Sequence, residues 1–236
     1  MKKGFTLAEV LITLGIIGVV AALTMPSLIA NYKKQVYVTQ LRKSVSAWEQ
    51  GMKLMLATDG VDEIADTEFA RVLRDAGYGA YIGSSAQAVP QADEILKKYF
   101  NIIKIEDAAQ YTSKGMDGST GAYSPGYRKV YMADGSVYYI YIYVDGRSST
   151  NLGNRVVDVN GDKGPNIDGR DVFYFNVDPK GSLIPYNSQQ ANEQLGSTYW
   201  RDDPTLCGTP GSADMTGVKG QACAARIIEN GWVMDY

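Results

Sequence analysis

The most constraining feature of the sequence is an apolar run that begins a few residues from the N-terminus. The run from Phe5 to Ile29 would measure roughly 37 Å as an α-helix that rises 1.5 Å per residue. That length exceeds a bilayer hydrocarbon core of about 30 Å, so we predict a tilted membrane-spanning helix. Lys2 and Lys3 precede the run and predict a cytoplasmic N-terminus, with the rest of the chain exported.

A single carboxylate, Glu9, lies inside this run and distinguishes it from an ordinary anchor. A charged side chain at the centre of a membrane helix costs at least about 2.5 kcal/mol, and such residues usually have a function. A secretory signal peptide has a similar charged start and apolar core. However, the small-residue cleavage site that should follow that core is weak here. Glu9 therefore indicates a segment that does more than hold the chain in the membrane.

The segment KKGFTLAE at residues 2–9 resembles the prepilin motif of type IV pilins and of type II secretion pseudopilins. In that family a prepilin peptidase cuts after the glycine and methylates the new N-terminus. The resemblance therefore implies cleavage between Gly4 and Phe5, with Phe5 becoming N-methylated. Glu9 would become the fifth residue of the mature chain, and Pro26 matches the family's helix-kinking proline. The resemblance is specific over about residues 2–35 and concerns only architecture beyond them.

The chemistry of the motif suggests a mode of assembly. Cleavage would remove Lys2 and Lys3 and expose an amine on Phe5 that stays cationic after methylation. A buried Glu9 needs a positive partner, which that amine would supply from the same chain or from a neighbouring subunit. We expect Phe5, Glu9 and Pro26 to serve assembly. The implied partners are other pilin subunits in a homo- or hetero-filament, the prepilin peptidase, an inner-membrane assembly platform and the membrane itself.

The resemblance implies an α+β fold, a pilin-like lollipop in which a long N-terminal helix packs on an antiparallel β-sheet head. We expect residues 1–4 to be a leader peptide, residues 5–29 the transmembrane or filament-core helix, and residues 30–236 the extracytoplasmic head. An apolar stripe at helical spacing extends the helix to about residues 57–60 and should pack on the sheet. The stripe comprises Val38, Leu41, Val45, Trp48, Met52 and Met55.

The sheet is predicted mainly in the second half of the chain. Residues 61–127 are predicted as helix and loop, with helices over 63–76 and 92–100. Strands over 129–133 and 136–145 flank Asp134-Gly135, a strong hairpin turn. In the second of these strands one face should pack on the helix, and the tyrosine-rich face should be partly wet. A third strand is predicted over 171–178.

Residues 158–171, DVNGDKGPNIDGRD, carry oxygen-bearing side chains at alternate positions. The pattern resembles an EF-hand-like or dockerin-like calcium loop, and some pilins and pseudopilins carry calcium in a head loop before a late strand. The last acid stands at position 14 rather than 12, and Pro165 is foreign to the pattern. The alternative is a turn whose side chains cap its own backbone. The predicted ligands of this structural calcium are Asp158, Asn160, Asp162, Gly164 through its carbonyl, Asn166, Asp168 and Asp171.

Composition limits the functions that remain. The chain has no histidine, which excludes Ser-His-Asp and Cys-His mechanisms and most catalytic zinc sites, so we expect no enzyme. Cys207 and Cys223 should form a disulfide in an exported head, worth about 3 kcal/mol, although two reduced thiols remain an alternative. The formal net charge of −3 argues against nucleic acid as a partner.

The main hypothesis is a structural subunit of a type IV pilus. The alternatives are a pseudopilin of a type II secretion system, and a minor pilin that binds surfaces or DNA. A membrane-tethered glycosidase is disfavoured because nothing places two acids together. The expected location is the inner membrane, crossed once by the precursor, and then a filament in the periplasm or on the cell surface.

Overall fold

The computed structural model describes residues 4, 6–81, 89–107, 111–116, 118, 120–123, 128–144, 153–207 and 220–236. The chain divides into two compact units, residues 1–36 and residues 37–236. The first helix, α1, extends over Leu7–Asp59, which confirms the predicted end near residues 57–60.

The first unit contains the apolar part of α1. This helix is long and apolar enough to cross a membrane: a window of 18 residues has a mean hydropathy of 2.3, and none of that window is buried. Pro26 lies inside the helix. Proline removes one backbone hydrogen bond from a helix interior. The helical assignment nevertheless continues without interruption on both sides of Pro26.

The second unit combines short helices with antiparallel sheet. In chain order, after α1, its elements are α2 (Glu68–Asp75), β1 (Ala80–Tyr81), α3 (Pro90–Tyr99), β2 (Ile102–Asp107), β3 (Tyr111–Lys114), β4 (Thr120–Tyr123), β5 (Arg128–Met132), β6 (Val137–Tyr143), β7 (Gly153–Asp158), β8 (Val172–Val177), β9 (Leu183–Pro185), α4 (Gln189–Leu195) and α5 (Cys223–Glu229). Short 3₁₀ turns occupy Ile64–Asp66, Gly161–Lys163 and Pro204–Cys207.

One sheet has the strand order β2-β5-β6-β7-β8-β9, with β1 paired to β6, and β3 pairs with β4 in a separate hairpin. The pairings between these strands are antiparallel. The fold of this unit is therefore a mixed α+β head, as predicted.

The main core lies between the head portion of α1 and the sheet. Leu41, Trp48, Met52 and Met55 are almost fully buried, and Trp48 Nε1 donates a 2.7 Å hydrogen bond to the carbonyl of Gly181. The predicted stripe on α1 therefore packs on the sheet. Burial of such side chains contributes about 1.5 to 3 kcal/mol each, which makes this helix an integral part of the head.

A close approach occurs where α1 meets the end of α3. Gly51 faces the ring of Phe100, and an added Cβ would lie 2.2 Å from Phe100 Cε1. That ring is itself stacked on Trp48, with 5.2 Å between ring centroids. Because a methyl group at Gly51 would displace a ring that is stacked on Trp48, even alanine at this position should destabilise the head.

The strands show where the sequence prediction held and where it failed. The hairpin at Asp134-Gly135 is confirmed, with Gly135 at φ +89° and Tyr131 paired with Val137, and β8 confirms the third strand. Strands β1 to β4 fall in the stretch predicted as helix and loop, and β7 and β9 were not predicted. The tyrosine-rich face of β6 is partly wet, as predicted, because Tyr141 and Tyr143 are half-buried, although Tyr139 on the same face is only 6% exposed.

Strand β7 was missed because it carries an arginine on its inward face. Arg155 is completely buried, and its guanidinium carbon lies 3.4 Å from the centroid of the Trp48 ring and 3.7 Å from that of Tyr138. Burial lowers the pKa of Arg155 well below its usual value. Two aromatic faces can hold a cation that has left water. A charged residue in a core strand contradicts the apolar alternation by which a strand is recognised.

Candidate processing site and candidate cation loop

The bond expected to be cut precedes the first helix. Gly4 is exposed and lies outside any helix or strand, whereas Leu7 is the first residue of α1. Residues 1–3 and Phe5 lie outside the described residues. No atom lies within 4 Å of a Cβ built on Gly4. The fold itself therefore does not require glycine at this position, and any such requirement would come from the enzyme that processes the chain.

Glu9 closes a capping box with Thr6 at the start of α1. Glu9 Oε2 accepts hydrogen bonds from the backbone N–H and the hydroxyl of Thr6, both at 2.8 Å. In return the backbone N–H of Glu9 donates to Thr6 Oγ1 at 3.3 Å. Each side chain thus satisfies a backbone group that the first helical turn leaves open. Thr6 was overlooked in the sequence, although its T-x-x-E spacing to Glu9 is the usual signature of this cap.

The capping box changes how the carboxylate is accommodated before assembly. Two donors from Thr6 replace part of the hydration that Glu9 would lose in an apolar environment. The cationic partner expected for Glu9 is the amine of Phe5, which lies outside the described residues, so that pairing stays a prediction. Gly4, Glu9 and Pro26 all lie in the first unit, with Glu9 in the first turn of α1 and Pro26 in its interior.

The predicted cation loop connects β7 to β8. Asp158 ends β7, and Asp171 immediately precedes β8. Asn160 Nδ2 donates to the carbonyl of Gly164 at 2.9 Å and to Asp171 Oδ2 at 3.1 Å. Asp171 also accepts from the backbone N–H of Asn166 at 3.1 Å. The backbone N–H of Asn160 donates to Asp158 Oδ1 at 3.2 Å. Five of the seven predicted ligands are therefore brought together.

The other two predicted ligands face different partners. Asp162 lies in the 3₁₀ turn Gly161–Lys163, which directs it outward. Its side chain is 61% exposed and pairs with Lys129 Nζ at 2.8 Å. Asp168 is buried, and its Oδ1 accepts a 2.7 Å hydrogen bond from the hydroxyl of Tyr174. The alternating pattern in the sequence could not predict these partners, because it gives the positions of the oxygen-bearing residues and not the direction of their side chains.

The remaining residues fit a hard cation. Three buried oxygens, Asp158 Oδ2, Asn160 Oδ1 and Asn166 Oδ1, have no hydrogen-bond partner, whereas most buried polar atoms in proteins have one. Burial and the nearby charge of Asp171 raise the pKa of Asp158 to about 7. Over the described residues no group of three or more His, Cys, Asp or Glu is placed to hold a metal. A cation here would therefore depend on amide and backbone oxygens as well as on two carboxylates, and calcium accepts such ligands.

The C-terminal region is closed by a disulfide. Cys207 and Cys223 are bonded, with their Cα atoms 4.9 Å apart, which confirms the predicted pairing. Cys207 ends the 3₁₀ turn Pro204–Cys207, and Cys223 is the first residue of α5. Arg226 Nη1 donates a 3.0 Å hydrogen bond to the carbonyl of Cys207, so α5 and the preceding turn are joined by polar as well as covalent contacts.

Comparison with known proteins supports the interpretation of the N-terminus. A family model described as the prokaryotic N-terminal methylation motif matches residues 1–25. This is the prepilin motif of type IV pilins and pseudopilins, so the resemblance of residues 2–9 is confirmed. No significant match is found among curated proteins or among solved structures. The motif covers a short part of the chain and leaves the role of the head to be argued from its own residues.

Proposed function

We propose that this chain, which begins with a prepilin-type methylation motif, is a structural subunit of a type IV pilus-like filament. One observation carries the proposal: the motif at residues 1–25 leads into a helix apolar enough to cross a membrane. The motif implies processing by a prepilin peptidase and assembly with other pilins. On this proposal the peptidase cuts between Gly4 and Phe5 and methylates Phe5, and the role of the chain is structural rather than enzymatic.

The exposed apolar side chains of α1 support a helix that is covered by lipid or by protein rather than by water. Its large apolar side chains over residues 7–29 are more than 40% exposed in the single chain, among them Leu11, Ile17 and Leu23. Contiguous apolar surface of this kind marks a membrane or protein contact. In the precursor, lipid would cover it, with the N-terminus held in the cytoplasm by Lys2 and Lys3. In the filament, the same helices of neighbouring subunits would replace the lipid.

Glu9 would connect these two states. In the membrane its carboxylate is held by Thr6, through the hydrogen bonds at 2.8 Å. On assembly, the amine of a neighbouring Phe5 would add a full positive charge beside it. An ion pair in an apolar environment is favourable only with good geometry, and removing one partner from such a pair typically costs about 3 to 5 kcal/mol. We therefore propose that Glu9 selects the register at which the helix enters the filament.

A pseudopilin of a type II secretion system is the second candidate, because both classes use the same N-terminal chemistry. The cation loop between β7 and β8 favours the pseudopilin, since the resemblance implies calcium in such a head loop. The disulfide between Cys207 and Cys223 and the large head favour a pilus. The two candidates differ in where the processed protein accumulates, namely on the cell surface or within the envelope.

Substitution of Gly4 tests the processing step. With a prepilin peptidase co-expressed, the wild-type chain should lose residues 1–4 and gain a methyl group, as read by intact mass. Gly4→Val should remain at precursor mass, since a peptidase that approaches the backbone closely at glycine cannot accept a branched side chain. Gly15→Val is the matched control, because Gly15 likewise has no atom within 4 Å of its Cβ position. A Gly4→Val chain that is cut as completely as Gly15→Val would contradict the proposed cleavage site.

We further propose that the loop from Asp158 to Asp171 binds one calcium ion in a structural role. Asp158, Asn160, Asn166 and Asp171 would provide side-chain oxygens, and Gly164 its carbonyl. The support is the three buried oxygens without donors and the two carboxylates close enough for the charge of one to raise the pKa of the other. The bound ion would supply positive charge. The loop residues would in turn hold β7 and β8 in register at the sheet end.

A further inference from the structure

The C-terminal region, residues 220–236, contacts the cation loop at Asp168 and Gly169. The ideal Cβ position of Gly169 lies 2.5 Å from Cys223 Sγ, and that of Gly220 lies 2.2 Å from the carbonyl oxygen of Asp168. Both glycines have positive φ, +78° and +70°, so two backbones approach each other more closely than any side chain permits. The hydroxyl of Tyr236 donates a 2.5 Å hydrogen bond to the carbonyl of Gly169. Three residues of the C-terminal region thus hold the same two peptide units.

Those peptide units lie between two of the proposed cation ligands, Asn166 and Asp171. Asp171 Oδ1 accepts from the backbone N–H of Ile167 at 2.7 Å, and the N–H of Arg170 donates to the carbonyl of Ile167 at 3.0 Å. The backbone that runs through Asp168 and Gly169 is therefore a tight turn. A shift of this turn would move the Asp171 carboxylate relative to Asn166.

A second side of the turn is fixed by the hairpin strand β3. The N–H of Lys114 donates to the carbonyl of Asn166 at 2.9 Å, and the N–H of Asp168 donates to the carbonyl of Lys114 at 2.8 Å. With β3 on one side, the C-terminal region is a further tether on the other. The position of the ligands consequently depends on whether Gly220 and Cys223 stay where they are.

We propose that the Cys207–Cys223 disulfide pre-forms the calcium loop, so that oxidation of these cysteines and calcium binding reinforce each other. The inference rests on the proposed calcium site. Without the disulfide, the N-terminal end of α5 loses its covalent tether to Cys207, and the segment that presses on Asp168 and Gly169 gains conformational freedom. Binding calcium would then have to order that segment as well. By thermodynamic linkage, calcium must protect the disulfide to the same extent that the disulfide strengthens calcium binding.

The coupling implies that disulfide formation precedes full calcium binding as the head matures outside the cytoplasm. The two thiols lose two protons and two electrons to the disulfide of a thiol–disulfide oxidoreductase, which becomes a dithiol. Such oxidation occurs in exported compartments. The loop would therefore reach its full calcium affinity only after export, and a head with reduced cysteines would remain the weaker binder.

The test compares calcium affinity in full-length variants kept in detergent. Calcium chloride is titrated by calorimetry into calcium-free wild-type protein, into C207S/C223S and into Gly220→Ala, which keeps the disulfide but places a methyl group against the Asp168 carbonyl. Coupled sites usually change each other's affinity by about 5- to 150-fold. We expect at least about fivefold weaker binding in both variants. Gly51→Ala is the control, because it disturbs the contact with Phe100 and not the loop, and its calcium affinity should equal that of the wild type.

The outcomes separate the two proposals. Equal affinity in wild type, C207S/C223S and Gly220→Ala would overturn the coupling and leave the calcium site intact. No heat of binding in the wild type would overturn the calcium site and the coupling with it. If C207S/C223S does not fold, Gly220→Ala decides the result, together with a reciprocal measurement on the wild type. In that measurement calcium should raise the dithiothreitol concentration needed for half-reduction, and an unchanged concentration would overturn the coupling.

Discussion

Replacing Glu9 with alanine should nearly abolish filament assembly while the chain still inserts into the membrane. Removal of the carboxylate makes the helix more apolar, so insertion has no reason to fail. It also leaves the amine of Phe5 without its proposed partner in the packed helices, at a cost of about 3 to 5 kcal/mol per subunit. Since each 1.4 kcal/mol is a factor of ten in an equilibrium, we expect filament yield to fall by about a hundredfold or more. Sheared filaments and membrane fractions, quantified by immunoblot, provide the two readouts.

Two further variants separate pairing from helix capping. Thr6→Val removes the hydroxyl from the box but keeps the Glu9 carboxylate, so it should cost about 1 kcal/mol of helix stability and reduce assembly only modestly. Glu49→Ala removes an acid from the head part of the same helix, where it pairs with Lys53 at 3.8 Å, and should assemble normally. If Glu9→Ala assembled as well as Glu49→Ala, the register role of Glu9 would be refuted.

Removing calcium should lower the melting temperature of the full-length protein in detergent by about 5 to 10 °C. A ligand at 100 times its dissociation constant stabilises the folded state by about 2.7 kcal/mol. For a chain of this size 1 kcal/mol corresponds to about 2 to 4 °C. Scanning calorimetry with excess calcium and with EDTA measures the shift, and magnesium in place of calcium controls for ionic strength.

Single substitutions test which side chains hold the ion. Asp171→Asn should lose most of the calcium-dependent shift. Asp162→Asn should keep it, because the Asp162 carboxylate faces Lys129. The alternating pattern in the sequence predicts that Asp162 is a ligand, whereas the structure turns it toward Lys129. The two variants therefore show which of these assignments is right. A wild-type melting temperature that does not change with EDTA would contradict the calcium site. The loop would then be a turn whose side chains hydrogen-bond to its own backbone.

The pH dependence follows from Asp158, whose pKa is raised to about 7 mainly by burial. The folded head without calcium then binds a proton more tightly than the unfolded chain does. Stability should therefore fall as the pH rises from about 4 to about 7, because the folded state must bury the charge. Calcium would compensate for that charge, so its effect on the melting temperature should be larger at about pH 8 than at about pH 5. An effect of equal size at both pH values would show that Asp158 is not a ligand.

The parts of the fold that the sequence predicted are those set by local rules. The stripe from Val38 to Met55 fixed the buried face of α1, and Asp134-Gly135 fixed a hairpin because glycine accepts φ +89°. Strands β2 and β7 were missed because their residues become strand only through pairing with distant partners. Strand β7 also places Arg155 in the core between two rings, which no local pattern encodes.

The candidate site divides in the same way. Gly4 and Glu9 were predicted because the methylation motif is a linear pattern, and the family model that matches residues 1–25 covers both positions. The sequence predicted a cluster of oxygens between β7 and β8, but the direction of Asp162 and Asp168 depends on a 3₁₀ turn and on Tyr174. The contact of the disulfide with Gly169 joins residues more than fifty positions apart, and only the tertiary fold reveals it.

The measurement that tests the central claim most directly is mass spectrometry of the N-terminus in protein sheared from the cell surface, beside the membrane fraction. The account predicts abundant chains that begin at N-methylated Phe5 in the sheared, high-molecular-mass material. Processed chains confined to the membrane and periplasm would instead favour the pseudopilin. Chains that still begin at Met1 in every fraction, in a cell with an active prepilin peptidase, would contradict the account.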